Sequence, residues 1–107
     1  MPSEVTGISS AKLAGVVRSR KMPALVLFTG AWCPDCRSFE PTWNMWTSSR
    51  SGPMYAVDVP RGGSEWDDWS LVEIPTVAVF IDGREAGQLH GTISSDDLDS
   101  LWAKLKR

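Results

Sequence analysis

Apolar positions along this chain alternate between helical and strand periods. Between Ser9 and Arg20, Leu13, Val16 and Val17 recur at helical spacing above a basic end of Arg18, Arg20 and Lys21, which predicts a helix capped by Ser9 or Ser10. Pro23 stops it. Ala24 to Thr29 is an almost unbroken apolar run, the pattern of a central strand covered on both faces. From Cys33 to about Ser49, Phe39, Trp43 and Trp46 return at i, i+4 and i+7, which predicts a second helix. Pro41 inside it removes a helical hydrogen bond and crowds the preceding turn, so a kink is expected there. Gly52-Pro53 marks a turn, Met54 to Val59 a second strand parallel to the first, and Pro60-Arg61-Gly62-Gly63 a loop. Ser64 to about Val72 reads as a short helix capped by Ser64, with Glu65, Asp67 and Asp68 in its first turn. Thr76 to Ile81 and Arg84 to His90 read as strands joined by the turn Asp82-Gly83. Ser94 or Ser95 opens a last helix with Leu98, Leu101, Trp102 and Leu105 on one face and Lys104, Lys106 and Arg107 at its end. A weak extra strand lies near Val5 to Ile8.

Strands joined through helices are expected to run parallel, and a two-residue turn makes the last pair antiparallel. The fold class is therefore α/β, with a mixed central sheet of four to five strands and helices on both faces. With 107 residues the chain is read as a single domain, 1–107, large enough for one continuous core. Six tryptophans must carry much of that core, and Phe39, Trp43, Trp46 and Trp102 are assigned to it. Trp66 and Trp69 share one face of the short acidic helix; core packing is expected of them, an exposed partner-binding pair being the other reading. A formal charge of -2 without any basic run argues against a nucleic-acid partner. Met1 to Ser10 is polar and mixed, and no apolar stretch is long enough to span a bilayer, so a cytoplasmic protein away from membranes is expected, and a monomer.

The chemistry centres on Trp32-Cys33-Pro34-Asp35-Cys36, which holds the two cysteines of the chain one helical turn apart, directly after the apolar strand. Positions i and i+3 of a helix lie about 5–6 Å apart, a separation a disulfide tolerates. A strand leading into such a helix is the setting in which C-x-x-C reads as a redox dithiol. With Cys33 as N-cap, Pro34 takes the first helical position, where its missing N–H costs nothing. The Cys33 thiolate then accepts N–H groups of the first turn at the positive end of the helix dipole. Cysteines so placed fall from about 8.5 into a range of roughly 3.5–7.5, which supplies a nucleophile near neutral pH. Cys36, deeper in the helix, is expected to be the buried resolving thiol: Cys33 attacks a substrate disulfide, and Cys36 then attacks Cys33 and releases the reduced substrate. A lone pair of cysteines also suits a reducing compartment, where it cycles instead of stapling the fold. Asp35, about 7 Å from the thiolate at an effective dielectric of about 40, opposes it by about 1 kcal/mol, so it retunes the nucleophile without abolishing it. Trp32 beside the nucleophile offers apolar contact to substrate.

From about Lys12 to Lys106 the chain resembles the thioredoxin family. Trp32-Cys33-Pro34-Asp35-Cys36 resembles the family's W-C-x-x-C, Pro41 its helix-kinking proline, and Ile74-Pro75-Thr76 its cis-proline segment, while Gly83 and Gly91 match its hairpin glycine and the glycine closing the last strand beside the site. The resemblance implies a thioredoxin fold and a thiol–disulfide oxidoreductase, a protein-disulfide reductase that needs no bound cofactor. It also implies disulfide-containing protein or small-molecule substrates, and reduction by a thioredoxin-reductase-like or other dithiol donor. It places Ile74, Pro75 and Gly91 beside Cys33, where an extended substrate segment would pair with the Ile74 backbone by strand addition. His90, the one histidine, falls near the dithiol on the same grounds, there to favour the Cys33 thiolate or shuttle a proton.

Two departures stand out. Family members usually carry a buried aspartate where this chain has Leu27, and the lysine often near it is replaced by Ala56. An apolar substitute for a buried ion pair leaves the fold unthreatened. The proton of the resolving thiol then falls to Asp35, water or His90. Asp35 is itself a departure from the family's frequent glycine, and an altered substrate choice is expected from it. Two cysteines and one histidine cannot close a structural zinc site within one chain, so no metal is expected. An inter-chain metal protein using the same cysteines, or a redox-inactive binding module, is the alternative to an enzyme.

Overall fold

The computed structural model describes residues 5–19 and 23–106. Arg20, Lys21 and Arg107 of the basic helix ends, and the first four residues of the polar opening, lie outside them. In chain order the elements are β1 (Thr6–Gly7), α1 (Ser10–Ala14) continuing as a wider π-helical turn (Gly15–Ser19), β2 (Ala24–Thr29), α2 (Pro34–Ser48), β3 (Met54–Asp58), α3 (Glu65–Asp68), β4 (Thr76–Ile81), β5 (Arg84–His90) and α4 (Ser95–Trp102), which ends in a 3-10 turn (Ala103–Lys106). One five-stranded sheet runs in the order β1-β3-β2-β4-β5. Among the described residues no helix is long and apolar enough to cross a membrane.

The apolar run Ala24–Thr29 takes the centre of the sheet because both of its faces are covered. Ala24, Val26 and Phe28 face a core completed by Leu13 and Val17 of the first helical segment, Val57, Trp69, Leu71 and Phe80. Leu25 and Leu27 face the other, built from Phe39, Trp43 and Trp46 of α2 and Leu98, Leu101 and Trp102 of α4. Arg50 ties these last two helices together. It pairs with Asp99 at 2.6 Å and lies over the Trp46 ring, whose N–H donates to the same carboxylate.

Parallel pairing of β2 with β3 is as expected, but β4 runs antiparallel to β2. The sequence reading made strands joined through helices parallel, and α3 is where that fails. A parallel return needs a connection that travels the length of a strand, roughly 17–20 Å. Four helical residues rise only about 6 Å. The rest of the segment from Val59 to Pro75 is turns, bends and irregular chain, and it stays at the end of the sheet where β2 and β3 finish; β4 starts from there, with Thr76 opposite Phe28, and runs back. α3 is shorter than the expected helix to Val72 because Ser64 is itself in a helical conformation and makes no side-chain cap, and Ser70, at φ 54°, turns the chain away. The first helix also departs from expectation. Gly15 and two β-branched valines are weak helix formers, and the helix widens there while Leu13 and Val17 both stay fully buried. α2, in contrast, runs continuously from Pro34 to Ser48 with Pro41 inside it.

Candidate active site

Thr29 ends β2, and a tight turn closed by the Cys33 N–H on the Gly30 carbonyl (3.1 Å) feeds the chain into α2. Cys33 is the N-cap, in an extended conformation, and Pro34 is the first helical residue. The backbone N–H of Cys36 donates to Cys33 Sγ at 3.1 Å. This is the hydrogen bond expected of a capping cysteine, and it singles out Cys33 as the sulfur with first-turn stabilisation. The two cysteines are joined as a disulfide with Cα atoms 5.2 Å apart.

Exposure does not distinguish the two sulfurs as the sequence reading had it. Cys33 is 5% exposed and Cys36 3%, so both are buried in this oxidised form. The reason lies across from α2. The Ile74–Pro75 peptide bond is cis, and the Ile74 carbonyl lies 3.5 Å from Cys33 Sγ. Ile74, itself 7% exposed, belongs to the same packed cluster as both cysteines.

Trp32 forms one flank. Its indole N–H donates to the Val59 carbonyl at 2.7 Å, its ring lies 6.3 Å from that of Trp66, and the Arg61 guanidinium stands 5.1 Å from its centroid. Gly30 makes this possible: a Cβ there would meet Trp32 Nε1 at 2.6 Å and the Val59 carbonyl at 3.0 Å. Trp66 and Trp69 part company. Trp69 is buried between Phe28 and Phe80, whereas Trp66 is half-buried beside Trp32 and donates to the Pro60 carbonyl.

The other flank is acidic. Asp35, Glu73, Ser38, Thr42 and Gly91 line a groove of about 490 Å³ beside α2. Gly91, at φ 82°, adopts a backbone conformation that favours glycine. His90 pairs through Nδ1 with Glu73 at 3.6 Å, both side chains about half exposed, so its observed partner is that carboxylate. Trp66, half-buried, comes nearer the exposed position weighed for it and Trp69 takes the core position, whereas Gly30, Val59, Arg61 and Glu73 are site residues that the sequence reading did not mark out. Of these only Gly30, a glycine between a strand and the Trp-Cys motif, left a local mark; the rest arrive from distant segments.

Known proteins share sequence and fold with this chain. The family model Thioredoxin matches residues 4–104. Thioredoxin O, mitochondrial, of Oryza sativa subsp. japonica is 29% identical over 94 residues, which cover 85% of this chain and 53% of that protein. Thioredoxin H-type of Chlamydomonas reinhardtii is 31% identical over 84 residues, covering 77% and 74%. Among solved structures, thioredoxin O2 from Arabidopsis thaliana in the oxidised state superimposes with a TM-score of 0.76 at 23% identity over 98% of this chain and 96% of that one. The chain thus spans about half the length of the rice protein.

Proposed function

This chain belongs to the thioredoxin family, and from that premise we propose that it is a thiol–disulfide oxidoreductase that reduces disulfides of proteins or small molecules through Cys33 and Cys36. The observation that carries this reading is the Cys36 N–H on Cys33 Sγ at the start of α2, because it stabilises negative charge on one sulfur of the pair only. Cys33 as thiolate attacks one sulfur of the substrate disulfide. The substrate's other sulfur leaves as a thiolate and a mixed disulfide forms. Cys36, deprotonated, attacks Cys33 and expels the second substrate thiolate, so two electrons pass from the dithiol to the substrate. Trp32, Ile74, Pro75 and Gly91 surround this exchange, and the Ile74 backbone offers the edge along which an extended segment lies. A second dithiol donor returns the protein to its reduced form, and a reducing compartment such as the cytoplasm suits that cycle.

Insulin reduction by dithiothreitol tests the reading. Precipitation of the insulin B chain is expected to accelerate with catalytic amounts of this protein and not with Cys33→Ser. Cys36→Ser is expected to accumulate a one-to-one mixed disulfide, visible as an adduct mass. No acceleration, or an adduct on Cys36 in the Cys33→Ser protein alone, overturns it.

A further inference from the structure

The resolving thiol must lose a proton before it attacks, and Cys36 is almost fully buried. A cleft of about 340 Å³ nevertheless reaches it, between α2 and strands β2 and β3. Leu27 and Ala56, side by side in the parallel register, give it an apolar wall, and Thr29, Asn44 and Glu40 give it polar groups. That volume and those partners suit ordered water. Besides Cys36, Glu40 is the one ionisable residue among the described residues lining the cleft. It follows Cys36 by four residues on α2, hence on the same helix face about 5–6 Å away between Cβ atoms, a gap that one water bridges.

The other ionisable groups nearby have different surroundings. On α2, Asp35 lines the groove on the opposite flank, and Arg37 is a cation. β1 and β2 carry none among their described residues. On β3, Tyr55 packs against the α1-side core, while Asp58 alternates onto the Ala56 side in register with Thr29 and is the rival to be tested.

We propose that Glu40 is the proton acceptor for Cys36, acting through water held in this cleft. The inference rests on the dithiol chemistry proposed above and deepens it. In the resolving step the Cys36 S–H bond breaks, its proton passes through water to the Glu40 carboxylate, and the sulfur lone pair forms the bond to Cys33. The bond from Cys33 to the substrate breaks at the same time. The departing substrate thiolate takes a proton from the medium, and Glu40 returns its own to water. Glu40 takes the proton through solvent and touches neither sulfur.

Stopped-flow mixing of the reduced protein with a chromogenic aromatic disulfide separates the steps, since one coloured thiolate leaves when Cys33 attacks and a second when Cys36 does. Glu40→Gln is expected to keep the first phase and to slow the second by about tenfold or more near neutral pH. Its second phase should rise in proportion to hydroxide from about pH 5 to about pH 8, where the native protein, with a proton acceptor of its own beside Cys36, gives a flatter profile. Glu40→Asp is expected to restore part of the rate, and Asp58→Asn to leave both phases alone. An unchanged second phase in Glu40→Gln, an equal slowing of both phases, or an equal loss in Asp58→Asn overturns the proposal. A native protein without a first phase would instead sink the dithiol reading itself.

Discussion

Gly30 is a residue whose absent side chain does as much for the site as most of the side chains present. It leaves the space in which the Trp32 indole reaches the Val59 carbonyl. Gly30→Ala is expected to push the ring off that bond and lower kcat/KM for a protein disulfide several-fold, with the small aromatic disulfide little affected; equal losses on both substrates would show that Trp32 does not serve substrate docking. Asp35→Asn removes a carboxylate in the first turn of α2, about 7 Å from the Cys33 thiolate and worth about 1 kcal/mol against it. The pH at which alkylation of reduced Cys33 reaches half its maximal rate should then fall by less than about one unit, and no change in that pH would mean that Asp35 serves the helix end alone. The sequence carried Cys33, Pro34, Asp35 and Cys36 openly, because the features that activate the pair are neighbours along the chain. It could not carry the Val59 and Ile74 carbonyls, since every residue has one and only the fold decides which arrives at the site. Glu40 was hidden differently: four residues past Cys36 it looks like any solvated charge on a helix until the cleft beside it is seen.

Among the elements, α4 shows best how sequence signals become structure. Ser94 accepts the Asp97 N–H on its hydroxyl, and the Asp97 carboxylate accepts the Ser94 N–H, which closes a capping box. The backbone N–H of Ser94 first, and its hydroxyl second, hold the Asp97 carboxyl below its ordinary value of 3.8. A carboxyl lowered on folding contributes stability that is present above its unfolded value and lost as pH falls through the folded one. Asp97→Asn should therefore be less stable than the native protein at neutral pH, and the gap in urea midpoints should close below about pH 3.8; a gap independent of pH would deny the carboxylate this role. Ser94 was legible as a cap because its side chain does the work. Ser64 looked the same in sequence but makes no such bond, and α3 is correspondingly a single turn. The first helix was misread in its second half for a related reason: Gly15 with Val16 and Val17 preserves the apolar spacing while weakening the α-helical hydrogen-bond pattern.

Across the whole molecule, β2 is shared by two cores, one closed by the first helix and one by α2 and α4. Leu13 and Leu25 are both fully buried, one on each side. Leu13→Ala and Leu25→Ala are each expected to cost about 2–5 kcal/mol, in a single transition seen alike by far- and near-ultraviolet circular dichroism; two separate transitions would mean that the faces fold apart. The mixed sheet and its flanking helices were legible from the apolar run of β2, the Asp82-Gly83 hairpin and the spacing in α2 and α4. The antiparallel entry of β4 was not, because it depends on how far α3 can travel and not on any pattern within β4. That entry is what sets the Ile74 carbonyl against Cys33, so the topology and the chemistry meet at one sulfur. Alkylation of the fully reduced protein with limiting iodoacetamide, read by peptide mass spectrometry across a pH series, tests that meeting most directly. Label is expected on Cys33 first and already at mildly acidic pH, with Cys36 following only after unfolding; label on Cys36 first, or on both residues alike at the pace of an ordinary thiol, would contradict it.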